Sequence, residues 1–216
     1  MNLDKILNKE NITENVEESN SSFNPFLLDY NSKFYTVIKK TDMIYKYYPE
    51  ANVISKYDPT NNGWCGYSCI ARAVLGMPYL VADTAGFAVR STMRNYMVAH
   101  KSQFVEFFGL ERYQKNLDML TAPVDDSHNW WFTTPDGIWI AVITFKVPLL
   151  VSGHGFRMRI PFLYSPPNNT SFKNVNFFLL IQRHFHLLAY ELASYSYDKK
   201  HRPKEQDSVD KIFCSE

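Results

Sequence analysis

The chain has 216 residues, a length that suits one domain able to bury a core without disulfides. Its hydrophobic content of 45% and aromatic content of 16% exclude a disordered protein. With Lys and Arg numbering 23 against 22 Asp and Glu, the balance gives no basic excess for nucleic acid and no acidic excess for a cationic partner. Three cysteines, a small odd number, argue against a disulfide framework and for a reducing, intracellular compartment, cytoplasm or nucleus. The polar start shows no apolar run of signal-peptide length, and no stretch reaches the roughly 18 continuous apolar residues of a membrane helix. The expectation is a monomer without a membrane or nucleic-acid partner.

Residues 1–22, rich in Asn, Glu and Ser, read as a flexible tail, and 23–52 as an N-terminal arm of the domain. Within the arm, 34–38 (FYTVI) is aromatic and β-branched, as in a strand. The tyrosine-rich stretch 42–57 has no clear pattern. Residues 58–63 (DPTNNG) are a loop by composition. A helix follows, in which Cys65, Cys69, Ile70, Ala73 and Val74 keep helical spacing, with Gly76 placed for a left-handed cap and Pro78 as a stop. Asp83 or Thr84 caps a second helix reaching about Ala99, with Phe87, Met93, Tyr96 and Met97 turned inward. Residues 101–108 and 110–120 are helical as well. Thr134-Pro135-Asp136 forms a helix start: a capping hydroxyl, a proline in the first turn and an acid near the positive end.

After Lys146 the pattern turns to short, partly alternating apolar runs at 147–152, 157–164, 174–181 and 184–190, broken by Gly153, Gly155, Pro166 and Pro167. These are strands. Residues 193–216 read as a charged C-terminal tail, solvated over 198–211. Helices followed by strands predict an α+β or mixed α/β domain.

A cysteine in the first turn of a helix, after a glycine-containing loop, faces unpaired backbone N–H groups. The helix dipole favours its thiolate, and the same N–H groups suit the oxyanion of an acyl intermediate. Cys65 meets this description; Cys69 lies one turn deeper. Against this stands the plain reading of a buried structural cysteine. A thiol nucleophile needs a base. His184 and His186 fall in an apolar strand, two apart and hence on one face, with Phe185 and Leu187 on the other. A group that orients the base is harder to choose: His186 suits by spacing but carries no charge when neutral, and Asp58, Asn62 and Asp136 are also available.

The segment 62–71 (NGWCGYSCIA) resembles the nucleophile block of OTU-type cysteine peptidases, which reads approximately D-G-N-C before an aromatic and a helix. Residues 131–141 resemble a second block, in which a tryptophan and an acidic residue precede a helix, and 147–153 resemble the strand after it. The run 184–188 (HFHLL) is similar to the closing histidine block. The likeness covers about 53–192, and its middle blocks look most like OTU-like domains carried by mobile elements. It implies a papain-like α+β fold: a small, mostly antiparallel central sheet flanked by helices, with the nucleophile at a helix N-terminus. It also implies a thiol hydrolase that cleaves isopeptide or peptide bonds after ubiquitin or a ubiquitin-like modifier, without metal or cofactor. Cys65 would be the nucleophile, His184 the base, His186 its orienter, and Asn62 part of the oxyanion loop. Three positions depart from the family: Asn62 stands where aspartate is usual, His186 where Asn or Asp is, and Trp64 replaces a smaller polar residue.

Two other functions fit the same residues. A catalytically impaired OTU-like module would bind a ubiquitin-like protein without cleaving anything. A metal site from Cys65, Cys69, His184 and His186 is conceivable, because cysteines four apart share a helix face, but that spacing is unusual for a zinc cysteine pair. Trp130, Trp131 and Trp139 are candidates to line a substrate groove, with core packing as the competing role.

Overall fold

Between residues 58 and 146 the chain carries helix-forming runs punctuated by Gly and Pro, and those interruptions set the helix ends. The computed structural model describes residues 35–37, 52–125, 128–154, 162–167, 176–181, 184–191 and 203–213. Helix α1 (Cys65–Leu75) closes at Gly76, whose left-handed backbone lets its N–H reach the Ala71 carbonyl. Pro78 then opens α2 (Tyr79–Ala99). Helices α3 (Lys101–Phe108) and α4 (Leu110–Thr121) are separated by the positive-φ Gly109. Helix α5 (Asp136–Phe145) is apolar all round, with 137–143 entirely buried, as befits a helix covered on every side.

Strands β1 (Tyr35–Val37), β2 (Asn52–Tyr57), β3 (Leu149–His154), β4 (Phe162–Tyr164), β5 (Asn176–Ile181) and β6 (His184–Glu191) form one sheet. Its order is β1-β2-β6-β5-β3-β4. All neighbours are antiparallel except β3 and β5. The domain is therefore α+β with a mostly antiparallel sheet, as its sequence predicts. Helix α1 packs between α2 and β6, and α5 packs on α2 and β4. Tyr57, Tyr67, Met93, Met97, Phe104, Trp139, Ile140 and Phe185 lie in the shared core.

Several local expectations are corrected. Helix α2 begins at Tyr79, so Asp83 and Thr84 lie inside it, and the Thr84 hydroxyl donates to the Val81 carbonyl instead of capping. Met93 and Met97 are buried, but Phe87 is 66% exposed. Helix α5 starts from Pro135 with Asp136 in its first turn, and no side chain caps it. Residues 1–22 and most of 23–52 lie outside the described residues. Among the described residues no helix is long and apolar enough to cross a membrane.

The largest correction concerns the supposed solvated tail. Gln206–Phe213 forms helix α6, with Val209, Ile212 and Phe213 buried and Asp207 and Lys211 exposed. Charge density hid a narrow apolar stripe. Phe213 packs edge-on against Phe104 of α3. The buried Gln206 amide clamps the chain just after β4: it donates to the Ser165 carbonyl at 2.9 Å and accepts from the Ser165 N–H at 3.0 Å. Gln206→Ala would strand a buried donor and a buried acceptor. The expected loss is about 2–4 kcal/mol, since each unsatisfied group costs about 1–3. Chemical or thermal unfolding measures it; a variant as stable as the parent would mean that α6 contributes nothing through this clamp.

Candidate active site

The site forms where the start of α1 meets the start of β6. Strand β2 pairs with β6, Tyr57 opposite Leu187. Continuing that ladder by one residue sets position 58 opposite position 186, and so on the face that 184 shares. Asp58 then contacts His184: its Oδ1 lies 2.8 Å from Nε2. Cys65 is close enough to the same ring to be the foremost influence on its charge. The Phe185 backbone N–H, 3.5 Å from the Cys65 sulfur, ties the same strand to the thiol.

Cys65, His184 and Asp58 therefore come together at one place, thiol and carboxylate both acting on the imidazole. The cysteine and histidine are the pair singled out in the sequence. Asp58, one of several groups considered there, is the one that meets the ring, at Nε2. For His186 only the backbone position is described, opposite Leu179 of β5. Asp136 is elsewhere. It receives two bonds from Arg112 and one from Asn116 Nδ2 at 2.9 Å, joining α4 to the first turn of α5. That cluster borders a separate cavity of about 1080 Å³ that neither Cys65 nor His184 lines.

The turn before the cysteine is held by its own side chains. Asn62 Oδ1 accepts from the Trp64 N–H at 3.1 Å, and the Asn62 N–H donates to the Thr60 carbonyl at 2.9 Å. The next residue must be glycine for two reasons. Gly63 has φ +83°, and a β-carbon there would lie 2.3 Å from Trp131 Nε1. The chain thus enters α1 tightly, and the N–H groups of the first turn, which have no partner within a helix, gather beside the sulfur. Phe132 stacks edge-on between Tyr67 and Phe185, joining α1 to β6 behind the thiol.

The three tryptophans separate. Trp139 is core, packed on Phe107 and Tyr164. Trp130 is buried against Trp64, and half-buried Trp131 stacks with His128 beside Gly63. Only the last two are near the nucleophile turn. Cys69 is fully buried one turn deeper than Cys65. Among the described residues no group of three or more His, Cys, Asp or Glu side chains is arranged to hold a metal ion.

The charges explain how the imidazole is set. Contact with the Cys65 sulfur is the foremost influence raising the His184 pKa above its ordinary value of 6.5; Asp58 adds to it, and burial opposes both. The ring is thereby biased toward its cationic form, flanked by sulfur and carboxylate.

No protein-family model and no curated protein matches the chain. Among solved structures it is similar to the viral OTU domain protease of Farallon virus, at 12% identity and a TM-score of 0.45, covering 62% of this chain and 83% of that one. It is similar to the OTU domain of OTUD1 at 13% identity and a TM-score of 0.44, over 62% and 85% of the two chains. The OTU domain protease of Dera Ghazi Khan virus gives 9% identity and a TM-score of 0.46, over 62% and 80%.

A folded-state pKa above the unfolded one means that His184 stabilises the fold fully below pH 6.5, and that this stabilisation is lost as pH rises through the folded value. Titration of the His184 ring proton by NMR is expected to give a midpoint above 6.5. Cys65→Ala should lower it more than Asp58→Asn does, following the order of the two influences. A midpoint at or below 6.5 in the unaltered protein would contradict the described contacts.

Proposed function

We propose that this chain is a cysteine-type hydrolase of the OTU kind that cleaves isopeptide or peptide bonds after ubiquitin or a ubiquitin-like modifier. One observation carries the hydrolase reading: the imidazole of His184 meets the Asp58 carboxylate at 2.8 Å and lies beside Cys65, the first residue of α1. The modifier as substrate comes from the sequence resemblance in the blocks around Cys65, Trp131 and His184.

In the reaction, His184 takes the proton of the Cys65 thiol as the sulfur attacks the substrate carbonyl carbon. The first-turn N–H groups of α1, held by the turn that Asn62 braces, receive the oxyanion. The tetrahedral intermediate collapses by breaking the C–N bond, and the leaving amine takes the proton from His184. Water, deprotonated by the same ring, then attacks the thioester; the carboxylic acid departs and Cys65 regains its proton. Asp58 holds the ring in orientation and offsets its positive charge. The chemistry needs a reduced thiol, which suits the reducing compartment expected from the cysteine count.

A second reading has one observation in its favour. Cys65 is only 5% exposed, so a module that grips a ubiquitin-like protein without processing it fits the same surface. A ubiquitin probe carrying a C-terminal propargylamide separates the two. The enzyme is labelled covalently, Cys65→Ala abolishes labelling, and His184→Ala slows it by about 10²–10⁴-fold. Asp58→Asn is expected to slow it less, and His186→Ala less again. Tight probe binding with no covalent product would replace the enzyme by the binding module.

A further inference from the structure

We infer that Arg90 is a positioning residue for the Cys65 site, fixing the turn at Trp64 by tying the start of α1 to the end of α4. The inference rests on the reading of Cys65 as a nucleophile and concerns a residue that does not touch the thiol.

Arg90 lies in α2 and is 5% exposed. Burying a guanidinium is costly, and such groups are normally neutralised by a carboxylate. Among the described residues Arg90 meets none. One of its terminal nitrogens donates to the Met119 carbonyl at 2.6 Å and to the Ala122 carbonyl at 2.7 Å. These belong to the C-terminal end of α4, where the helix dipole is negative and a cation is favoured. The charge is thus accommodated, although an apolar side chain would fill the space at lower cost unless the cation has a further role.

Its other contacts show that role. The guanidinium carbon lies 6.0 Å from the centre of the Trp64 ring, within reach of a cation–π contact. The Arg90 cation also acts on the nearby Tyr67 phenol, whose own hydroxyl donates to the Trp130 carbonyl at 3.2 Å. Trp130 in turn packs on Trp64 with ring centres 4.7 Å apart. Gly86, one turn before Arg90, leaves room for that ring; a β-carbon there would come within 3.0 Å of it. Trp64 is the residue immediately before Cys65. The cation therefore stands at a junction of three pieces: the last turn of α4, the loop carrying Trp130, and the entry to α1. Released from Arg90, that loop and the Trp64 ring lose a shared anchor, and the first-turn N–H groups beside the sulfur lose their fixed direction.

The test uses the full chain and the variants Arg90→Met and Tyr67→Phe. The rate of Cys65 alkylation by iodoacetamide is followed across pH, with the modified site located by mass spectrometry, alongside tryptophan emission and the thermal midpoint. Arg90→Met is expected to slow alkylation of Cys65 by about 10-fold, the scale of a small misplacement in a reactive site, and to shift emission to longer wavelength. Tyr67→Phe should move both in the same direction by less. Measured well below the thermal midpoint, these readouts are not moved by lost stability alone. Alkylation within two-fold of the parent in a folded Arg90→Met overturns the inference. If that variant does not fold, Tyr67→Phe decides, because it removes only the hydroxyl that holds the Trp130 carbonyl near Arg90. A parent Cys65 that reacts no faster than glutathione would instead sink the nucleophile reading, while tryptophan emission still reports whether Arg90 holds the Trp64 turn.

Discussion

The site depends on the pairing of β2 with β6. Asp58 lies just beyond the last residue of β2, and His184 is the first residue of β6; only the antiparallel register between these strands brings them within 2.8 Å, across a separation of 126 residues. The same strand supplies the Phe185 N–H to the Cys65 sulfur. A one-residue slip would turn every side chain of β6 to the other face. Phe185 and Leu187, buried against the helices, oppose that slip, since it would expose both. The register of catalytic candidates is thus enforced by ordinary hydrophobic burial.

Around this ladder the molecule fixes one end of one helix. Asn62 braces the turn from within, Gly63 allows it to close under Trp131, and Phe132 fills the angle between Tyr67 and Phe185. Among the described residues, aromatic side chains gather here and in the cluster of Phe104, Phe107, Trp139, Tyr164 and Phe213. The first group positions the thiol; the second holds α3, α5 and α6 together.

Much of this was legible in the sequence because it is local. The loop 58–63, the helix behind Cys65, its left-handed cap at Gly76 and the histidine strand each have a short-range signature, and each is found. What stayed hidden is non-local. Strand β2 lies in a tyrosine-rich stretch without clear alternation, so its partner could not be inferred, and Asp58 remained one acid among several. His186 was favoured by spacing along its own strand, whereas the group that meets the ring comes from the neighbouring one. The α6 stripe was masked by the charges around it, and Phe87 misled because apolar residues also occupy exposed helix positions.

The order of these pieces along the chain bears on how the protein is made. The thiol leaves the ribosome about 120 residues ahead of the strand that carries its base. Strand pairings between such distant segments form late, after local helices. A nascent chain therefore holds Cys65 on a helix with no imidazole beside it. The meeting of Cys65 with His184 waits until synthesis has passed β6, so topology alone sets when the two can act on each other.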